Sequence, residues 1–383
     1  MGLEGLRYLV VGAGFFGAVI AERIATVLQE KVLLIDKRSH PGGNSYSHLD
    51  EETGIEIHDY GTHIFHTSNV QAWSYINRFT SFNHYRHRVL AKAGQKTYTM
   101  PVNLDTIERF YERPLSPAQA YELIQSESDK ESLKNPSNFE EQAVALVGRK
   151  LYQALFRGYT LKQWGTDPKL LPASFIMRLP VRYDYRADYF DDAYQGLPTD
   201  GYGKLFQKML MHQNIELRLK TDFFELKQQV PSDCTIVYTG PIDRYFNCRM
   251  GALGWRTLRL EFERLEVPDF QGIAVMNYTD ENIPYTRIHE SKHLHPERNY
   301  PKKETVLCWE FSCPAKKGDD PYYPIQSRSD KEMLSTYRAA AEQEKNVIFG
   351  GRLGAYKYLN MDQVIADALD VFEKKISQQD QCL

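Results

Sequence analysis

Cysteine is scarce, with five in 383 residues. Cys234, Cys248, Cys308, Cys313 and Cys382 include no CxxC pair. An odd, scattered set of this kind builds neither a disulfide framework nor a zinc site. No metal centre is expected, and the thiols read as reduced in a cytoplasmic protein. An excess of charge is missing too: 47 Lys and Arg stand against 50 Asp and Glu, a net −3. That excludes the broad basic footprint of a nucleic-acid binder, so no nucleic-acid partner is expected. No run approaches the ~18 consecutive apolar residues of a membrane span. Residues 8–24 come nearest, but glycines and Glu22 interrupt them. They also lack the basic start and small-residue cleavage site of a secretory signal. No membrane insertion is expected. Internal repeats and low-complexity segments are absent as well.

What is present is ordinary for a globular protein, 42 % apolar and 25 % charged, at a length that suggests two or three domains. Aromatic residues stand out: 25 Tyr, 19 Phe and 4 Trp. Most must serve a core. Several tyrosines, however, sit among arginines, glycines and prolines, where a ring with a hydroxyl suits a sugar or nucleotide pocket.

The chain opens on the apolar run Leu9-Val10-Val11, then Gly12-Ala13-Gly14-Phe15-Phe16-Gly17, then apolar residues at helical spacing. A second run, Val32-Leu33-Leu34-Ile35, ends in Asp36. This is a βαβ dinucleotide unit, with glycines for close backbone approach and an acid for the ribose. Arg38 and Pro41-Gly42-Gly43-Asn44 follow at once, where a nicotinamide-only fold would continue into further βα units. Strand, GxGxxG, helix, strand, acid and then R-x-x-x-GG-N resemble the large family of two-domain FAD proteins.

From about residue 80 to 165 the pattern turns helical and polar. Asn103 precedes Leu104, Ile107 and Tyr111; Ser116 precedes a helix start over 117–124; Val144, Val147, Leu151 and Leu155 recur at helical spacing as one helix. Short β-type runs follow at 235–240, 257–262, 273–278 and 306–311, and the tail over 335–376 is helical around a strand at 347–349. The expected fold class is α/β: an FAD-binding Rossmann-like domain with an inserted helical domain and an antiparallel β-sheet domain. The FAD domain would take 1–80, 191–240 and 321–383. The helical domain would take 81–170, with a substrate loop at its end, and the β-sheet domain 171–190 and 241–320. Trp164, beside Gly165-Thr166-Asp167-Pro168, reads as a loop residue. Arg178 and Arg182 follow it, and forked guanidinium donors suit a diphosphate.

The motifs GAGFFG, RSHPGGNSY, YGTHIFHT, GYTLKQWGTDP, RLPVRY, DYFDDAYQGLP, TDGY, YTRI and GRLGAYKYLNMDQ occur in that order from Gly12 to Asp362. Together they closely resemble the bacterial-type UDP-galactopyranose mutases. The resemblance implies an isomerase that interconverts UDP-galactopyranose and UDP-galactofuranose for cell wall polysaccharide biosynthesis. It implies FAD in the reduced form, whose N5 attacks the anomeric carbon, and an iminium route through a flavin–sugar adduct. It also implies a homodimer.

Residue by residue, the resemblance makes Arg178 and Arg287 the diphosphate arginines and sets His63 and His66 near the flavin. Tyr159 and Trp164 become uridine-side contacts on or beside a mobile loop. Tyr189, Tyr323 and Tyr358 surround diphosphate and sugar, with Asn277 on the nucleotide. Gly12, Gly14, Phe16, Gly17, Asp36, Gly43, Asn44, Arg352 and Met361 hold the cofactor. Two departures are visible. Asn360 stands where the family commonly has an acid, so it can hydrogen-bond a sugar but carries no charge. Leu155, with Phe156 next to it, stands where the family often presents a phenylalanine to the uracil. The alternative reading is an amine-oxidase-like flavin oxidoreductase, which would not need paired diphosphate arginines.

Overall fold

The strand Tyr8–Val11 lies at the centre of a five-stranded parallel sheet, between Thr235–Tyr238 and Val32–Ile35. The computed structural model describes residues 3–128, 135–175, 180–300 and 302–378. Val347–Phe349 and Ile215–Arg218 form the sheet's edges. Every residue of Tyr8–Val11 and Val32–Ile35 is buried, which is why both read as unbroken apolar runs rather than alternating ones. The helix Phe15–Arg23 covers one face and packs against the late helix Met361–Val371. The nucleotide-type domain is thus assembled from chain segments more than 300 residues apart.

A second, seven-stranded sheet runs in the order Tyr323–Pro324, Trp255–Leu265, Thr305–Pro314, Arg287–Glu290, Val275–Tyr278, Val89–Ala93, Lys96–Met100. It is antiparallel except where Val275–Tyr278 runs parallel to Val89–Ala93. The expected helical stretch from residue 80 is therefore corrected at its start. A hairpin over 89–100, turning at Gly94, joins the β-sheet instead. Its five-residue strands carry Lys92 and Lys96 and are too short to show a clear period.

Helices begin after it where the caps stand. Asn103 caps Leu104–Tyr111, a Ser116/Gln119 capping box opens Pro117–Glu127, and Asn138 caps Phe139–Val147. The helix expected through Val144, Val147, Leu151 and Leu155 is two. All four residues are buried, yet the chain breaks at Gly148, whose φ is +77° and where a Cβ would come within 2.7 Å of Glu127 Cβ. Among the described residues no helix is long and apolar enough to cross a membrane.

Candidate active site

The glycine loop is built to receive a phosphate. Helix Phe15–Arg23 has no side-chain cap and no acid in its first turn, so its leading N–H groups have only a ligand or solvent to satisfy them. Gly17 lies so close to Gly12 that an added Cβ would be 1.9 Å from Gly12 O. Across the gap stands the second glycine pair: a Cβ on Gly43 would be 3.3 Å from Gly14 Cα, and Gly42 N donates to Ala13 O at 2.7 Å.

Asp36 is buried and accepts from Ala13 N at 2.7 Å and from Arg38 N at 2.9 Å. The carboxylate thus fixes the loop before it meets any ribose, leaving lone pairs for one. Asn44 accepts from Arg38 Nη2 at 2.8 Å. Phe16 is almost fully buried and packs on Gly350 and Gly351, so only its backbone can meet a ligand. Gly350 and Gly351 lead directly to Arg352, which donates to Leu359 O (2.6 Å from Nη2) and lies 4.9 Å from the Tyr358 ring centre. Met361 is half-buried at the start of its helix.

Beyond Tyr358 the aromatic cluster begins. Tyr323 stacks on Tyr358 at 5.6 Å, and Trp164 lies 6.2 Å from Tyr323. Arg287 Nη2 donates to Tyr159 Oη at 2.7 Å. Tyr189 and Tyr323 both lie within electrostatic reach of Arg287. Asn277 is directly opposite Arg287 in antiparallel register, half-buried on the same side of the sheet. The structure therefore brings together Tyr159, Trp164, Tyr189, Asn277, Arg287, Tyr323 and Tyr358, from widely separated parts of the chain. Arg178 lies outside the described residues. Its motif partner Arg182 is buried and holds Asp191 Oδ1 at 2.7 Å and Asp188 O, a structural latch for the loop that carries Tyr189.

One reading is corrected, and the two departures find their places. Trp164 is not a loop residue: it ends the helix Gly158–Trp164, with Gly165 as its left-handed cap. Asn360 is the N-cap residue of Met361–Val371, its backbone N–H donating to Gln363 Oε1 at 2.9 Å. Asn and Asp cap equally well, so the departure removes a charge and keeps the helix. Leu155 and Phe156 are both buried in the core, so neither presents an open face for a uracil.

The histidines separate. His63 Nδ1 lies 2.7 Å from Gly61 O, which only accepts, so this nitrogen carries the proton and Nε2 keeps its lone pair. Burial pushes His63 down to about 4, and it lies within electrostatic reach of Arg352 and Glu310. His66 turns elsewhere, to Asp192 Oδ2 at 2.6 Å, with its ring stacked 3.7 Å from Phe190. His87, close by, is buried, and burial followed by repulsion from His289 and Arg287 holds it at about 3. An imidazole with a lowered folded value binds fewer protons than in the unfolded chain. Stability should therefore fall as pH drops below about 6.5 toward 3. The urea midpoint at pH 5 should lie below that at pH 7, and His87→Phe should narrow the gap.

Sequence reasoning missed Glu310. Its carboxylate is 2.9 Å from Arg287 Nε, 3.0 Å from His289 Nε2 and 3.1 Å from Thr286 Oγ1. Burial alone would raise it, but the charge of Arg287 and the hydrogen bond from His289 hold it down at about 2, so it is ionised. For Arg287 burial alone would lower the value, and Glu310 holds it well above the ordinary guanidinium range. Parity was the available signal: Val306, Cys308 and Glu310 share one face of their strand, and all are buried. Arg256 was missed too. It is buried and donates to Gln163 O and Lys162 O, the last carbonyls of the Trp164 helix.

Residues 154–358 match the protein-family model described as UDP-galactopyranose mutase, and residues 10–79 match the one described as NAD(P)-binding Rossmann-like domain. The chain is 41 % identical over 377 residues to a probable UDP-galactopyranose mutase of Klebsiella pneumoniae, covering 98 % of this chain and 96 % of the relative. It is 42 % identical over 368 residues to a dTDP-fucopyranose mutase of Escherichia coli, covering 95 % and 97 %. Its fold is similar to the crystal structure of a reduced UDP-galactopyranose mutase, with a TM-score of 0.74, 15 % identity, and 97 % and 94 % of the two chains covered.

Proposed function

Since the chain belongs to the UDP-galactopyranose mutase family, we propose that it binds FAD and interconverts UDP-galactopyranose and UDP-galactofuranose. The observation that carries this reading is the meeting of Arg287 with Tyr159, Tyr189 and Tyr323, on which Tyr358 stacks, beside the glycine cradle. A cation ringed by phenols, next to a cofactor site, suits a nucleotide diphosphate whose sugar lies toward the cofactor. An amine oxidase would need no such cation.

Gly12, Gly14, Gly17, Asp36, Asn44 and Gly43 would hold the cofactor's pyrophosphate and ribose side, with Arg352, Met361 and the His63 segment toward its reactive end. Bound and reduced, FAD would supply the nucleophile toward the anomeric carbon as UDP departs. The chain's own work is to hold and orient. Arg287, with Arg178 as its partner, stabilises the diphosphate as negative charge builds on it. Tyr159, Trp164 and Asn277 grip the nucleotide, while Tyr323 and Tyr358 shield the reacting sugar from water. His63 keeps Nε2 as a proton acceptor at neutral pH. The family further supports a cytoplasmic homodimer that feeds cell wall polysaccharide synthesis.

Purified protein should be yellow and bleach with dithionite. The reduced enzyme, incubated with UDP-galactofuranose, should yield UDP-galactopyranose by chromatography without stoichiometric consumption of reductant. Steady oxygen uptake and a ketosugar would overturn the reading in favour of an oxidase. Because the fucose-processing relative is equally similar, dTDP-fucofuranose should be run in parallel. Faster turnover of that sugar would reassign the substrate and keep the chemistry.

A further inference from the structure

The helix Gly158–Trp164 meets the turn between strands Val275–Tyr278 and Arg287–Glu290 through residues one helical turn apart on one face, Gly158 and Lys162. A Cβ on Gly158 would lie 2.2 Å from Thr279 O and 2.8 Å from Glu281 Cγ, so only glycine admits this approach. Lys162 Nζ then donates to four backbone carbonyls of the turn: Tyr278 at 2.7 Å, Asp280 at 2.8 Å, Ile283 at 3.0 Å and Tyr285 at 2.9 Å. An ammonium has three N–H groups, so four acceptors at these distances make a caged cation rather than a surface lysine.

The turn carries Asn277 at one end and Arg287 at the other, and the helix carries Tyr159 and Trp164. We propose that Lys162 is a positioning residue for nucleotide-sugar binding, its caged ammonium locking helix to turn so that Tyr159 meets Arg287. This rests on the mutase reading above. The Tyr159–Arg287 bond, only three residues along the helix from Lys162, is the contact that the lock holds in register.

Burial pushes Lys162 down to about 8, against the pull of Asp280 and Glu281. Glu281 is itself paired with Arg157. Lys92, on the neighbouring strand, lies 5.9 Å from the Tyr278 ring centre. Arg256 donates to the Lys162 carbonyl from the other side. Burial raises the phenols of Tyr278, to about 12, and of Tyr285, so both stay neutral around pH 8. A neutral amine turns a lone pair toward the carbonyls, and the cage loosens.

The flavin-loaded parental enzyme, Lys162→Met and Lys162→Arg would be titrated with UDP by equilibrium dialysis between about pH 7 and 9.5. At the lower pH Lys162→Met should keep its flavin and bind UDP about tenfold more weakly. Parental affinity should fall as pH rises through about 8, whereas Lys162→Arg, which does not titrate there, should stay flat. Gly158→Ala should weaken UDP in the same way. UDP bound within about twofold of parental by a flavin-loaded Lys162→Met would overturn the proposal. So would equal pH slopes for the parental enzyme and Lys162→Arg, a comparison that decides alone if Lys162→Met does not fold. A parental enzyme that binds neither UDP nor dTDP would overturn the mutase reading first, and the proposal with it.

Discussion

Arg287→Ala is expected to lose most of the turnover, and to lose stability as well. Each charged hydrogen bond to a departing diphosphate contributes about 1.5–3 kcal/mol, or roughly 10- to 150-fold in rate per bond. More of that loss should fall on kcat than on KM, because UDP gains charge as it leaves. The stability effect comes from Glu310. Its side chain is only 2 % exposed, and without Arg287 it becomes a buried charge with its main partner gone. Breaking such a pair from one side costs about 3–5 kcal/mol. Adding Glu310→Gln to Arg287→Ala should therefore restore the denaturation midpoint without restoring turnover. Arg287→Lys should rescue part of the activity, since it keeps the charge but not the fork. Arg178→Ala should lose turnover without the stability loss if its guanidinium serves only substrate. An Arg287→Ala enzyme isomerising UDP-galactofuranose at near parental rate would refute the assignment, whatever its stability.

This coupling of Arg287 to Glu310 marks where the sequence stops being legible. The two strands of the parallel sheet at Tyr8–Val11 and Val32–Ile35 could be read directly, because strands buried on both faces announce themselves as apolar runs and the glycines between them are fixed by sterics; the half-buried edge Ile215–Arg218 could not. Helix starts at Asn103 and Ser116 were equally local, a cap followed by a period, whereas the Asn138 cap of Phe139–Val147 went unread. The 89–100 hairpin was not, since its pairing partner at 275–278 lies far along the chain and its own strands carry lysines. The substrate cluster divides the same way. Arg287, Tyr159 and the tyrosines could be named only through family resemblance; register with Asn277 and Glu310 is what brings them to one place. Lys162 was in plain view inside its motif, but no local pattern shows that four carbonyls of a distant turn wait for it. Polar side chains that answer to distant backbone leave no periodic trace.

Gly17→Ala should yield a protein that purifies without flavin. The added Cβ would sit 1.9 Å from Gly12 O and 3.1 Å from Val10 Cγ1, and neither neighbour can yield cheaply. Gly12 O is backbone, and Gly12 itself is pinned, with a φ of +101° and Thr239 Oγ1 2.1 Å from where its own Cβ would be. Thr239 in turn donates to Val11 O at 2.8 Å, tying the loop to the central strand. The helix Phe15–Arg23 would have to move away from the strand, at an overpacking cost of about 1–3 kcal/mol or more. That motion withdraws the N-terminal N–H groups from the pyrophosphate, the very contacts the loop exists to make. Gly54→Ala is the matched control: its φ is +67°, but nothing lies within 4 Å of the new Cβ. It should cost about 1 kcal/mol of stability and stay yellow. Flavin content per protein, read from the visible band after gel filtration, separates the two. Stoichiometric flavin in Gly17→Ala would mean that the cofactor's pyrophosphate does not rest on this helix.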